Sequence, residues 1–181
     1  TQGVIRNPPH AFGAGYTQTL AEEMTADLQV ILEEAKAHPG LRVKLLTKGV
    51  SFGYIKVERN GSVNLDDIVG ISDDLIVRPF QWRGLASNLR NFIVGAMNFH
   101  FSVQPKEFLE ASTKNENDKD GLDNEILEGD ISAVATFLAF LRPPIESSNG
   151  LHAQRVERGR KVFNIVECAS CHIPSLEIED P

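Results

Sequence analysis

Residues 159–172 read GRKVFNIVECASCH, and this stretch is the most informative part of the sequence. It holds both cysteines of the 181-residue chain, Cys168 and Cys171, and His172 follows the second one directly. Two thiols three positions apart can each bond one vinyl group of the same porphyrin, and the adjacent imidazole is then held under the iron. The pattern predicts covalent attachment of a c-type haem through Cys168 and Cys171, with His172 as the iron ligand.

Three other interpretations of the cysteine pair stay open: a redox dithiol of the thioredoxin type, half of a zinc site, and chance. A thioredoxin-type pair follows a strand in a βαβ unit, whereas the spacing before Cys168 predicts an amphipathic helix over about Ala153–Ile165. Zinc would need a second pair of cysteines or histidines, which is not evident. The sequence therefore favours haem.

Composition and charge exclude several classes of protein. The formal net charge is −7, which argues against a nucleic-acid-binding protein that depends on a positive field. With 41% hydrophobic and 24% charged residues, the chain is typical of a globular domain. The longest nearly apolar run, Ile131–Leu141, has eleven residues, whereas a membrane-spanning helix needs about 20. We expect no membrane span.

Upstream of the motif, the hydrophobic spacing predicts a mainly α-helical protein with a small antiparallel β-hairpin inserted in it. Thr19 and Glu22 form a capping-box pattern at the start of a first helix, which Pro39 ends. Its apolar face consists of Leu20, Met24, Leu28, Ile31, Leu32 and Ala35. Strands are then expected at residues 41–46 and 50–57, followed by a turn at Asn60–Gly61.

The second half of the chain adds shorter elements. We expect a strand-like piece over Asp74–Arg78, a helix from about Ser87, and a helix over Ile131–Arg142 with Asp130 as its N-cap. In the helix from Ser87, His100 recurs at helical spacing with Leu89 and Ile93, which predicts that it faces inward. Residues 147–150 are expected to form a linker to the last helix.

The motif has a wider context, since Gly159, Phe163 and the cysteines read G-x-x-x-F-x-x-x-x-C-x-x-C-H. This resembles the first helix of cytochrome c domains. The resemblance implies that Gly159 allows the close approach of another helix and that Phe163 lies against the haem edge. Because that family attaches its haem outside the cytoplasm, it also implies a periplasmic or extracellular protein.

Five segments carry a broader resemblance: VSFGY (50–54), DDLIVRPFQW (73–82), AMNFHF (96–101), DKDGLDNE (118–125) and residues 159–174. They resemble the second half of di-haem peroxidases, a family that includes bacterial cytochrome c peroxidases, the methylamine dehydrogenase maturation enzyme and the haem rubber oxygenases. The resemblance implies that residues 1–146 form the distal side of a first haem. Residues 147–181 would then begin a second cytochrome c-like domain.

The sequence departs from this family in two ways. It holds no first haem motif, and nine residues follow His172, none of them Met or His. A sixth iron ligand would therefore come from upstream residues, from another chain or from missing sequence, unless the haem is five-coordinate. We expect the sequence to be a fragment between two haem sites.

Four residues are candidates for a catalytic, electron-relay or binding role near a haem. His100 is a candidate acid–base group or iron ligand, with a hydrogen-bonded core histidine as the alternative. By resemblance, Trp82 is a candidate electron relay, with plain packing as the alternative. Arg78 and Arg83 are candidates for binding haem propionates, because a guanidinium binds carboxylates bidentately, with ordinary salt bridges as the alternative. Met24, Met97 and His10 are weaker ligand candidates, and both methionines are favoured as core residues.

Acidic residues between the helix predicted from Ser87 and the helix predicted over Ile131–Arg142 resemble a calcium loop. Glu116, Asp118, Asp120, Gly121 and Asn124 match its positions one, three, five, six and nine, but Leu127 stands at position twelve instead of Glu. Relatives bind calcium near a domain interface, and Glu125 is close enough in sequence to serve in a shorter variant. Asp118, Asp120, Asn124 and Glu125 are the candidate ligands, and a solvated acidic turn is the alternative.

The expected function is that of a c-type haem oxidoreductase, which passes electrons between two haems to reduce peroxide or to oxidise a substrate. Its partner would be a second haem domain or a redox protein. The alternative is a non-enzymatic cytochrome subunit that transfers electrons within a larger assembly.

Overall fold

The computed structural model describes residues 10–108, 121–122, 124–145 and 150–179. The helices are α1 (Ala14–Ala37), α2 (Leu89–Phe101), α3 (Glu128–Ala139) and α4 (Gly150–Ile165), and a short 3-10 turn spans Cys168–Ser170. Strands β1 (Arg42–Thr47), β2 (Val50–Val57) and β3 (Val63–Asn64) form an antiparallel sheet in that order. The prediction of a mainly helical protein with a small antiparallel insertion is confirmed. The predicted boundary at residues 146–147 lies outside the described residues.

Helix α1 packs its predicted apolar face against the sheet. The stripe residues Met24, Leu28 and Ala35 are buried, and α1 ends at Ala37, just before Pro39. The predicted capping box is wrong, because α1 begins at Ala14 and Thr19 lies inside the helix, where its hydroxyl donates to the Gly15 carbonyl. The start is set instead by Gly13, whose left-handed backbone (φ 75°) lets its N–H donate to the Leu141 carbonyl at 2.9 Å.

Strands β1 and β2 pair antiparallel with a register shift between Lys44 and Leu46, and the hairpin closes through Lys48 and Gly49, both with positive φ. Its inner face joins α1 in the larger core cluster, which contains Leu28, Ala35, Leu45, Ile55, Val57 and Leu75. Gly53 in β2 has to be glycine, because a Cβ there would lie 2.1 Å from the Asp67 carbonyl oxygen. The insertion is therefore an integral part of the core.

A second, smaller core joins the start of α1 to α2 and α3. Its buried residues are Ala14, Phe80, Ala86 and Leu89, with Leu138 of α3 packed against them. Helix α1 approaches α3 so closely that a Cβ on Gly15 would lie 2.2 Å from the Ala139 carbonyl oxygen. The two clusters together hold α1, the sheet, α2 and α3 in one unit.

Two predicted elements differ from the structure. Residues 74–78 form no strand, because Leu75 has a left-handed backbone (φ 54°) and the Val77 N–H donates to the Thr25 hydroxyl of α1 at 2.9 Å. Helix α3 begins at Glu128 and ends at Ala139, so Asp130 is not its N-cap. Asp130 instead stands in the first turn, where its carboxylate accepts from the Leu127 N–H at 3.3 Å.

Helix α4 carries the chain to the cysteine motif. It begins at Gly150, three residues before the predicted Ala153, so Gly150 belongs to the helix and not to the predicted linker. The other linker residues, 147–149, lie outside the described part of the chain. None of the described helices has the length and apolar character that a membrane crossing requires.

Candidate functional site

The two cysteines lie on one short turn directly after α4. Both are free thiols and both are exposed. Helix α4 is separated from the turn by Glu167, whose left-handed backbone (φ 62°) redirects the chain into Cys168–Ser170. The thiols are therefore presented at the end of a helix, accessible to a ligand and not bonded to each other.

Backbone hydrogen bonds hold the imidazole on the same turn. The Cys168 carbonyl accepts from the N–H of Cys171 at 3.2 Å and from the N–H of His172 at 2.9 Å. The Ser170 hydroxyl donates to the Glu167 carbonyl at 2.7 Å, which closes the start of the turn. Five consecutive residues thus carry two thiols and an imidazole in a defined local conformation.

Phe163 of α4 lies against His172. Their ring centroids are 6.5 Å apart and their planes meet at 62°, an edge-on arrangement that aromatic rings favour. Phe163 is half-buried, whereas most of its neighbours in α4 are exposed. The contact restrains the imidazole from the side of the helix.

The side chains near the turn fit an apolar cofactor attached through sulfur. The donor set, two free thiols and an exposed imidazole, is the one that covalent haem requires. Apolar side chains on both sides of the turn are exposed, namely Val162, Ile165, Val166 and Ile173. The predicted role of Gly159 in helix packing stays a prediction, since no atom among the described residues lies within 4 Å of a Cβ built on it.

The structure also bears on the zinc and thioredoxin-type interpretations of the cysteine pair. Within the described residues, no group of three or more His, Cys, Asp or Glu side chains is arranged to hold a metal ion. The pair follows a helix, and the sheet of the described part is antiparallel, unlike the βαβ unit of thioredoxin-type sites.

His100 is exposed, so the prediction that it faces inward is wrong. Leu89 and Ile93 are the buried residues of α2, and they lie in its first half. The last turn of α2 extends past the core, where Phe99 and Phe101 are also exposed and the Phe99 ring lies edge-on to His100 at 5.0 Å. A role for His100 in a haem pocket stays a prediction.

Trp82 stands on an outward turn of unusual backbone. Gln81 and Arg83 both have φ of 64°, in the left-handed region that most side chains avoid. The indole is 59% exposed, and the Arg83 guanidinium lies over it, 4.4 Å from the ring centroid. Trp82 therefore does not pack in the core, and its role as a relay is untested.

Arg78 makes the salt bridge that the sequence left as its alternative. Its guanidinium pairs with both carboxylate oxygens of Asp74, and this hydrogen bonding lowers the pKa of Asp74 to about 2. Arg78 and Arg83 also line one cavity of about 510 Å³, together with Phe52, Ile71 and Val77. Propionate binding by either arginine stays a prediction.

Only two of the four predicted calcium ligands lie in the described part of the chain, because Asp118 and Asp120 fall outside it. Asn124 is exposed with a left-handed backbone (φ 58°). Glu125 is already engaged: its carboxylate accepts from the Gln104 N–H at 2.7 Å, and its own N–H donates to the Gln104 carbonyl at 3.0 Å. Glu125 therefore has a structural contact that the loop pattern did not anticipate.

The remaining ligand candidates are scattered. Met24 is buried in the α1 face, as predicted for a core residue, and Met97 is half-buried. His10 is exposed beside Phe12, with 6.1 Å between the ring centroids.

The structure contains one ion cluster that no sequence pattern predicted. Lys48 pairs with Glu23 and Glu179, and this cluster joins the residues after the motif to α1 and the hairpin.

The geometry groups Cys168, Cys171, His172 and Phe163 at one place and leaves His100 and Trp82 exposed in other parts of the fold. No family model, curated protein or solved structure matches the chain. The functional assignment accordingly depends on the chemistry of the cysteine turn.

Proposed function

We propose that this protein is a c-type haem oxidoreductase of the di-haem peroxidase kind, in which Cys168 and Cys171 bind the haem covalently and His172 ligates its iron. The proposal rests on one observation: two free thiols and an exposed imidazole share a single hydrogen-bonded turn at the end of a helix. Few cofactors other than c-type haem use that donor set at that spacing.

The side chains of the turn have separate tasks in this proposal. Cys168 and Cys171 would hold the haem through thioether bonds to its two vinyl groups, so the cofactor would not dissociate. His172 is held in place by its N–H bond to Cys168 and by the Phe163 ring. Bound haem supplies one-electron redox chemistry, and the exposed apolar side chains Val162, Ile165 and Val166 would exclude water from part of its edge.

A second haem is proposed next to α2 and α3. Phe99, Phe101, Phe137, Phe140 and Ile145 expose large apolar side chains on and after α2 and α3. Large exposed apolar side chains are common at surfaces that contact a partner or a ligand. Residues 1–146 would thus supply the distal side of that haem, with His100 as the group that transfers protons to or from peroxide.

The alternative is a cytochrome subunit that only transfers electrons. It is favoured by the exposure of His100 and Trp82, because a peroxide-reducing pocket encloses its acid–base group. Either form would be located in the periplasm or outside the cell, where covalent haem attachment takes place in cytochrome c families. A second haem domain or a redox protein would be its partner.

The two forms differ in iron coordination, which tests the proposal. The intact protein is produced with a system for covalent haem attachment, and its optical and paramagnetic resonance spectra are recorded before and after addition of peroxide. We expect a high-spin haem that reacts with peroxide, and a His100→Gln variant that reacts at least tenfold more slowly while the His38→Gln control reacts normally. Only low-spin haem that is indifferent to peroxide would leave electron transfer as the function.

A further inference from the structure

The residues after the cysteine motif make hydrogen bonds and an ion pair with α1 and the hairpin. We call residues 173–179 the strap. The backbone N–H of Glu179 donates to both carboxylate oxygens of Glu23 in α1, at 3.0 and 3.2 Å. The Glu179 carboxylate lies 3.0 Å from the ammonium group of Lys48. The strap therefore ends in bonds to two elements that precede the motif by more than a hundred residues.

Lys48 links the two carboxylates. It lies in the turn between β1 and β2, and its ammonium group is 2.7 Å from Glu23 and 3.0 Å from Glu179. Its side chain is only 8% exposed, so the pair with Glu23 is largely shielded from solvent. The hydrogen bonds that its ammonium group donates to Glu23 and to Glu179, in that order of size, raise the pKa of Lys48. Without this ammonium group, two carboxylates would face each other.

The strap is short enough to constrain the cysteine turn. Glu179 lies seven positions after His172, and a fully extended chain of seven residues spans about 25 Å at most. Between Cys168 and Glu179, the hydrogen bonds and ion pairs that reach the rest of the described fold are those of Glu179. Leu176 and Ile178 are half-buried, whereas the other residues of the strap are exposed.

We propose that the strap is a tether, closed by the Glu23–Lys48–Glu179 ion cluster, that positions the cysteine turn relative to α1 and the hairpin. The tether exists whether or not haem is bound. Its consequence for a redox centre, a fixed distance from the haem at His172 to the next acceptor, rests on the proposed function. Lys48, Glu23 and Glu179 are positioning residues in this account.

Hydrogen exchange measured by mass spectrometry on the full-length protein tests the tether. In the wild-type protein, the Glu179 amide should exchange slowly, because it is bonded to Glu23, and its exchange is what strap exchange means below. Glu179→Gln removes one charge of the cluster without a change of shape, and Glu177→Gln makes the same change at an exposed strap position outside the cluster. We expect strap exchange to become about tenfold faster in Glu179→Gln and to stay unchanged in Glu177→Gln.

A second pair of variants tests the hairpin side of the cluster. Lys48→Met should speed strap exchange more than Glu179→Gln does, since it leaves two carboxylates facing each other, whereas Lys44→Met on the exposed face of β1 should have no effect. The acceleration should appear with and without haem, which separates failure of the tether from failure of the haem proposal. Equal strap exchange in the cluster variants and their controls would overturn the tether.

Discussion

The imidazole of His172 lies edge-on to the phenyl ring of Phe163, with 6.5 Å between the ring centroids. The two residues are nine positions apart, and the left-handed Glu167 at the end of α4 turns the chain so that they meet. The side chain expected to ligate iron is therefore oriented by the helix that leads into the motif. This contact gives the first prediction.

Replacing Phe163 with alanine should loosen the turn without unfolding the protein. An edge-on aromatic pair contributes about 1 kcal/mol, which corresponds to about fivefold faster local opening. The measurement is hydrogen exchange at the His172 amide, which the Cys168 carbonyl accepts at 2.9 Å. Val162→Ala, a neighbouring and more exposed position, is the control and should change exchange little. The same rate in both variants would show that the ring contact does not restrain His172.

Helices α1 and α3 approach each other so closely at Gly15 that we expect this position to require glycine. A Cβ on Gly15 would lie 2.2 Å from the Ala139 carbonyl oxygen, so Gly15→Ala has to push the helices apart. We expect it to lower the free energy of unfolding by about 2–3 kcal/mol in urea denaturation. Gly129→Ala in α3, where nothing lies within 4 Å, should be neutral or stabilise by up to about 1 kcal/mol. A harmless Gly15→Ala would contradict the close approach of α1 and α3.

Hydrogen bonds of the Arg90 side chain connect α2 to α3, and we expect their loss to lower stability measurably. Its guanidinium binds Glu107 through two nitrogens, at 2.8 and 2.5 Å, and donates to the Ser132 hydroxyl at 2.7 Å. We expect Arg90→Met to lower the urea midpoint of unfolding, because it removes the hydrogen bonds to Glu107 and Ser132 together. Arg59→Met, at an exposed turn after β2, is the matched control. Equal unfolding midpoints in urea for the two variants would contradict this role.

The Asp74–Arg78 pair predicts acid dependence in a defined pH window. Hydrogen bonds from Arg78 lower the pKa of Asp74 from 3.8 to about 2 in the folded protein. A lowered folded pKa means that the pair stabilises the fold above pH 3.8 and that this stabilisation is lost as the pH falls towards 2. Titration of the Asp74 carboxyl carbon by NMR should give a midpoint near 2, moving towards 3.8 in Arg78→Gln. In the Arg83→Gln control the midpoint should stay near 2.

Features that depend on neighbouring residues could be predicted from the sequence. The apolar face of α1, the hairpin and the helix before Cys168 all follow from local periodicity and turn residues. The cysteine motif is local as well, since its chemistry is contained in five consecutive residues. These features need no knowledge of how the elements pack.

Features that depend on distant contacts were missed. Helix α1 begins early because Gly13 bonds to Leu141, at the far end of α3. His100 has the spacing of a buried residue, but the core ends before the last turn of α2, and periodicity carries no information about where a core ends. The cluster at Lys48 joins three segments that no motif connects.

The most direct test of the central claim is the mass of the denatured protein after production with a covalent haem-attachment system. The account predicts that one haem stays bound to a peptide containing Cys168 and Cys171, and that neither thiol reacts with an alkylating reagent. Cys168→Ala and Cys171→Ala should each keep at most one thioether bond, and the double variant should lose the haem. Wild-type protein that carries no haem mass and has two alkylatable thiols would contradict the assignment.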